Sequence, residues 1–171
     1  MLRVYCDASP FGLRFWLPSS CKGFQSPATH LFSQHDKSIF YLEALCVCAA
    51  ILHVINLVPA GGRLAVFMDN LNSVQMFNSF AALPAFNWML IAVADAVIER
   101  DIDFRVLHVP GTHNIIADLL SRFRNSDALQ LEPRLTIHSF QPPQPVRAAW
   151  SMERLLVECS INLGLALDTS T

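Results

Sequence analysis

One run constrains this chain more than any other: Leu64-Ala65-Val66-Phe67-Met68 is apolar without interruption and ends on Asp69. A strand with one face in water alternates polar and apolar residues, whereas an unbroken apolar run is buried on both faces. The run predicts a central parallel strand, and a parallel strand is reached by a crossover that is usually helical. The flanking sequence supplies the helices. Pro59-Ala60-Gly61-Gly62 stops a long apolar segment, roughly Ile39 to Leu57, for which Ser38 is a candidate N-cap. Asn70 or Asn72 can cap a following helix through about Ser79. Beyond the breaker Pro84, apolar side chains at Phe86, Met89, Leu90, Val93 and Val97 recur at helical spacing.

The rest of the chain fits around that core. Leu2 to Cys6 alternates with strand propensity and ends at Asp7; Pro10 and Gly12 make a turn, and Leu13 to Leu17 reads as the return strand of a hairpin. Residues 18 to 38, with Pro18, Gly23 and Pro27, have room for one short strand. Asp103 to Val109 is a strand with Phe104, Val106 and His108 on one face. Pro110-Gly111 turns the chain into a closing helix, Asn114 to Arg122. The order β, β, (β), α, β, α, α, β, α predicts an α/β fold with a mixed central sheet and flanking helices. After Arg124 the texture changes. Pro133, Pro142, Pro143 and Pro145 mark a linker, so the expected organisation is a domain over 1–125, a Pro-rich linker without regular structure over 126–147, and a tail over 148–171. That tail holds a short helix between about Trp150 and Leu165 and supplies nothing to the site.

Composition excludes several classes. With 171 residues, 53% hydrophobic and only 15% charged, the chain is neither disordered nor short of a core. It is greasy for a lone domain, which suits a piece of a larger polyprotein. Twelve Lys and Arg against fourteen Asp and Glu leave a net charge of −2, so nucleic acid has to be held locally or with a neighbour's help. The apolar stretch Ala44 to Val58 is broken by His53 and Asn56 and is short of the roughly 20 residues of a membrane span. A carboxylate at position 7 argues against a signal peptide, and no membrane partner is expected. Cys6, Cys21, Cys46, Cys48 and Cys159 are odd in number and contain no CxxC, which reads as buried reduced thiols in an intracellular compartment, cytoplasm or nucleus.

Four acids stand out because of where they lie. Asp7 and Asp69 end strands, where α/β sheets place their sites; Glu43 sits amid Ile39, Leu42 and Leu45; Asp118 lies among Ile115, Ile116, Leu119 and Leu120. A carboxylate in apolar surroundings needs a compensating cation, and no Lys or Arg lies near Glu43 or Asp69 in sequence, so a divalent metal is a fitting partner. Singly, each has a plain alternative: a turn former at Asp7, a helix cap at Asp69, a solvated acid at Asp118. Taken in this order on these elements, the four together are hard to explain so.

The residues Tyr5-Cys6-Asp7-Ala8-Ser9-Pro10-Phe11-Gly12, Tyr41-Leu42-Glu43-Ala44, Phe67-Met68-Asp69-Asn70 and His108-Val109-Pro110-Gly111-Thr112-His113-Asn114, running on through Ala117-Asp118-Leu119-Leu120-Ser121-Arg122, resemble the ribonuclease H domain of reverse transcriptases. The similarity covers about residues 2 to 123 and is nearest to retrotransposon and hepadnavirus-like polymerases. It implies a ribonuclease H-like fold and an endonuclease that cuts the RNA strand of RNA–DNA hybrids. It carries the family's catalytic and metal-holding tetrad onto Asp7, Glu43, Asp69 and Asp118, with two Mg²⁺ ions about 4 Å apart, replaceable by Mn²⁺. Asp7 would bridge both ions, and hard oxygen ligands suit that metal. His108 or His113 would assist product departure, while His30, His35, His53 and His138 read as structural or surface residues. The implied partners are a polymerase domain on the N-terminal side and a recombinase or integrase on the C-terminal side.

Nucleic-acid contacts are expected from Asn70, Asn72, Ser73, Gln75 and Asn78 beside Asp69, and from Arg122 and Arg124; helix capping and a solvated face are the alternatives. The family usually carries Gly-x-Gly in the first hairpin, where this chain has Gly12-Leu13-Arg14, so Arg14 either crowds the sheet or touches the hybrid backbone. Two other functions compete. One is a connector or nucleic-acid-binding module that kept the fold and lost activity; the other is an integrase-type enzyme, against which the Asp118-Leu119-Leu120-Ser121-Arg122 ending argues.

Overall fold

The computed structural model describes residues 1–28 and 39–144. Strands β1 (Leu2–Ser9), β2 (Gly12–Leu17) and β3 (Lys22–Pro27) precede helix α1 (Ile39–Val54) and β4 (Arg63–Met68). Then come α2 (Leu71–Ser79), α3 (Asn87–Glu99), β5 (Asp103–His108), α4 (Ile115–Ser121), α5 (Asn125–Leu131) and β6 (Thr136–Ser139). The six strands make one sheet in the order β5-β4-β1-β2-β3-β6. β1, β2 and β3 are antiparallel neighbours, while β4 runs parallel to β1, β5 parallel to β4, and β6 parallel to β3. The apolar run Leu64–Met68 is therefore a central strand with parallel partners on both sides, as its composition requires.

Alternation along the strands divides the interior in two. Val4, Cys6, Phe15, Leu17, Leu64, Val66 and Met68 face α1 in the main core. On the opposite face Trp16 and Ile137 join Leu119, Leu120, Ala128 and Leu135 under α4 and α5. Every residue of α1 from Leu42 to Ile51 is buried, because the sheet covers one side and α2 and α3 the other. That position explains why the helix is apolar all round. By length and composition Ile39–Leu57 is apolar enough to cross a bilayer, yet 67% of that stretch is buried inside the protein. Cys6, Cys21, Cys46 and Cys48 are buried free thiols.

Two expectations are corrected. The linker expected over 126–147 contains α5 and the sheet strand β6, and Phe140 just after β6 packs its ring 4.9 Å from Phe15. Pro133 and Pro142 flank this short edge strand rather than mark irregular chain; prolines are tolerated at such places because no ladder hydrogen bond is lost. Arg14 neither crowds the sheet nor touches the surface: it is fully buried, with a defined set of acceptors described below. Ser38, His30, His35, Cys159, the Trp150–Leu165 helix and the rest of the tail lie outside the described residues.

Candidate active site

The sheet's parallel half brings the first two acids together. Tyr5 on β1 pairs with Phe67 on β4, so two residues further along Asp7 comes level with Asp69. β5 continues the row, with His108 opposite Met68. The Pro110–Gly111 turn then passes close over Asp69: a Cβ on Gly111 would lie 3.4 Å from Asp69 Oδ2.

The other two acids come from helices on opposite faces. Glu43 lies in the second turn of α1, with Cys46 one turn further along donating its thiol hydrogen to the carbonyls of Asp7 (3.2 Å) and Arg14 (2.9 Å). Asn70 holds Glu43 in place. Its Oδ1 caps α2 by accepting from the N–H groups of Asn72 (2.8 Å) and Ser73 (3.1 Å), which leaves its Nδ2 to donate to Glu43 Oε2. Asp118, on α4, is half-buried and pairs with Arg122 one turn on, Nε to Oδ1 at 2.7 Å.

Helix α4 is tied to β1 at both ends. Asn114 Nδ2 donates to the Cys6 carbonyl at 2.8 Å, and Ser9 Oγ donates to the Ser121 carbonyl at 2.6 Å. Asn114 is 2% exposed and its Oδ1 is a buried acceptor without a hydrogen-bond donor. Asn114 and Ser121 were not singled out from sequence as site residues. The one available signal was the position of Asn114 four residues before Asp118.

Electrostatics marks this edge as unusual. Burial, and then the charges of Asp69 and Asp118, push the Asp7 carboxyl up to about 7, against a hydrogen bond from the Ser121 side chain and the charge of Arg122. Burial, then Asp69 and Asp7, push Glu43 up to about 7 as well, opposed by Asn70. Asp7 and Glu43 are thus raised by neighbouring carboxylates as well as by desolvation, the pattern expected where carboxylates are brought close together. Among the described residues no three Asp, Glu, His or Cys side chains are close enough, as placed, to hold one ion together. The donors are all carboxylate oxygens. That set fits a hard, hydrated cation such as Mg²⁺, which takes one or two carboxylates directly and keeps several waters.

Of the remaining candidates, His108 and His113 are exposed, one at the end of β5 and the other in the helical turn Gly111–His113. Asn72 is exposed on the first turn of α2. Ser73 is fully buried, so its expected contact with nucleic acid is corrected. Asn70 has both ends of its amide engaged, as above. Asn78 is structural too: it donates to the Val106 carbonyl (2.7 Å) and accepts from the Val106 N–H (3.0 Å), pairing with the free edge of β5 as another strand would. Arg124 pairs with Asp127 at 2.6 Å.

No protein-family model matches the chain, and no curated protein does. Solved structures do match. The chain is similar to ribonuclease H1 from the halophilic archaeon Halobacterium salinarum NRC-1, with a TM-score of 0.53 and 14% identity over 74% of this chain and 98% of that one. It is also similar to the N-terminal ribonuclease H domain of rv2228c from Mycobacterium tuberculosis, with a TM-score of 0.50 and 14% identity over 77% and 99%. The chain has the ribonuclease H fold, as the quoted motifs implied.

Proposed function

We propose that the chain is a metal-dependent endonuclease that cuts the RNA strand of RNA–DNA hybrids. One observation carries the reading: the β1–β4 register brings Asp7 level with Asp69 at the strand ends, with Glu43 on α1 and Asp118 on α4 to either side of the sheet. Four acids drawn from three elements and one helix-capping loop, in a fold shared with ribonucleases H, have no structural need of one another.

Asp7, Glu43, Asp69 and Asp118 would hold two Mg²⁺ ions, or Mn²⁺ in their place, and the bound metal supplies a Lewis acid and a water of lowered pKa. The protein's own part is to hold its acids in place. The sheet register aligns Asp7 with Asp69, Asn70 steadies Glu43, and the ties at Asn114 and Ser9 fix α4 and with it Asp118. His108 or His113, exposed at the end of β5 and in the turn that follows it, would assist product departure. Asn72 would read the hybrid's phosphates and 2′-hydroxyls, and Arg122 would exchange Asp118 for a phosphate. In this reading the chain works inside the cell during retroelement reverse transcription, with a polymerase domain before it and a recombinase or integrase after it.

The test is an end-labelled RNA–DNA hybrid with Mg²⁺ and, beside the native chain, Asp69→Asn. The native chain is expected to cut hybrid RNA and spare single-stranded RNA. Asp69→Asn keeps its shape and loses activity by orders of magnitude; equal cutting by both sinks the assignment. A second reading, an inactive connector, draws support from the separation of the acids as placed. Melting curves with millimolar Mg²⁺ separate the two, because a nuclease site is stabilised by the ion it binds and a connector is not.

A further inference from the structure

Arg14 is a large cation buried in the middle of the sheet that makes no ion pair among the described residues. It lies on β2 directly opposite Asp7 and is 0% exposed. The ion pairs of the described residues are Arg122–Asp118, Arg124–Asp127 and Arg134–Glu132, and none includes it. Its partners are carbonyls instead. Nε donates to Leu120 O at 2.7 Å, and one terminal nitrogen donates to Leu13 O and Ser26 O. The guanidinium carbon lies 3.8 Å from the centre of the Phe123 ring, and the second terminal nitrogen is buried without an acceptor. Gly12 makes the room: a Cβ there would stand 2.6 Å from the guanidinium. A buried charge tolerated without a counter-ion calls for a reason in the surroundings.

Leu120 supplies that reason. Its carbonyl belongs to the last turn of α4, where the helix dipole favours a cation, and it also accepts from the Phe123 N–H at 3.1 Å and Gln25 Nε2 at 3.3 Å. Phe123, just past the helix, has the left-handed φ of 58° that turns its ring back over Arg14. Arg14 thus holds the end of the helix that bears Asp118 and Ser121 through Nε and the Phe123 ring, while its terminal nitrogen anchors the guanidinium to β2 and β3.

We infer that Arg14 is a positioning residue: from β2 it clamps the C-terminal turn of α4 and so sets where Asp118 stands relative to Asp7 for divalent-metal binding. This rests on the proposed nuclease reading only for what the metal is used for. A glycine at this position, the residue usual in the resembling family, would leave α4 tied by Ser9 and Asn114 without the fork.

The variants are Arg14→Lys, which keeps the charge and loses the planar fork, and Phe123→Asn, which removes the ring but suits the left-handed backbone. The readout is the Mn²⁺ concentration giving half of the full rise in melting temperature, with no substrate present. Loss of a residue that orients a metal ligand typically weakens binding by roughly tenfold or more. Arg14→Lys is expected to raise that midpoint by about that factor, and Phe123→Asn in the same direction by less. A merely structural Arg14 predicts a lower melting temperature with an unchanged Mn²⁺ midpoint, and that result overturns the inference. If Arg14→Lys does not fold, Phe123→Asn decides alone by the same criterion. Hybrid cleavage is read separately: a native chain that binds Mn²⁺ through an Arg14-dependent site yet leaves hybrid intact removes the nuclease reading and keeps this one.

Discussion

At the scale of single residues, Asp7 and Glu43 carry charges that the folded chain resists. Burial, and then neighbouring carboxylates, push each up to about 7 from ordinary values of 3.8 and 4.5, so between about pH 4 and pH 7 the folded state is expected to hold protons that the unfolded state has released. Stability then falls as pH rises through that window. Without metal the chain is expected to melt at a higher temperature at pH 5.5 than at pH 7.5. A difference of only ~2 kcal/mol moves the midpoint by about 4–8 °C in a chain this long. Saturating Mg²⁺ should shrink the gap; a metal-free midpoint that climbs with pH contradicts the cluster. Glu43→Gln removes one of the charges, so the metal-free midpoint at pH 7.5 should rise or stay level, and a clear fall would show Glu43 to be a structural partner. The apolar surroundings and strand-end positions single out all four acids as candidates, and the resemblance proposes them as one set. Asn114 and Ser121 were not legible, because their value lies in hydrogen bonds to Cys6 and Ser9, more than a hundred positions away. Ser73 misled for the opposite reason: its hydroxyl looked like part of a polar face, but helix geometry turns it inward.

Among the elements, α1 to α4 and strands β1, β2, β4 and β5 follow from local pattern, β3 only as room for one short strand, and α5 and β6 do not. Thr136-Ile137-His138-Ser139 is four residues long, mostly exposed and flanked by prolines, so it lacks the apolar period that reveals a strand. It forms because β3 offers an open edge and because Phe140 reaches the main core. Phe140 is 8% exposed and touches both Phe15 and His53, while His53 packs 4.4 Å from Phe24. A chain ending at Asn125 therefore loses more than a surface segment. It is expected to be less stable by at least about 3 kcal/mol, the usual cost of deleting one buried aromatic ring, with the β3 edge laid open besides. Urea unfolding of the two lengths checks this, and equal midpoints would restore the boundary at residue 125.

Over the whole molecule, the order of strands in space differs from their order in sequence, and this decides when the site exists. β1 is at the centre, yet its parallel neighbour begins at Arg63 and the helix across its far face at Ile115. Chains rich in such distant pairings fold slowly. After dilution from urea, Trp16, which packs against the α4 cluster, should report the closing step by its fluorescence. Mg²⁺-dependent cleavage is expected to return with that phase and never before it; earlier activity would mean that Asp118 is dispensable. The bond between Ser9 and Ser121 carries a consequence for the chain as it is made. The ribosome has to deliver 112 further residues after Ser9 before that bond can close. Until then Asp7 has Asp69 beside it but not the helix that brings Asp118. The four-acid arrangement thus stays incomplete until Ser121 has been made, a delay imposed by chain connectivity alone.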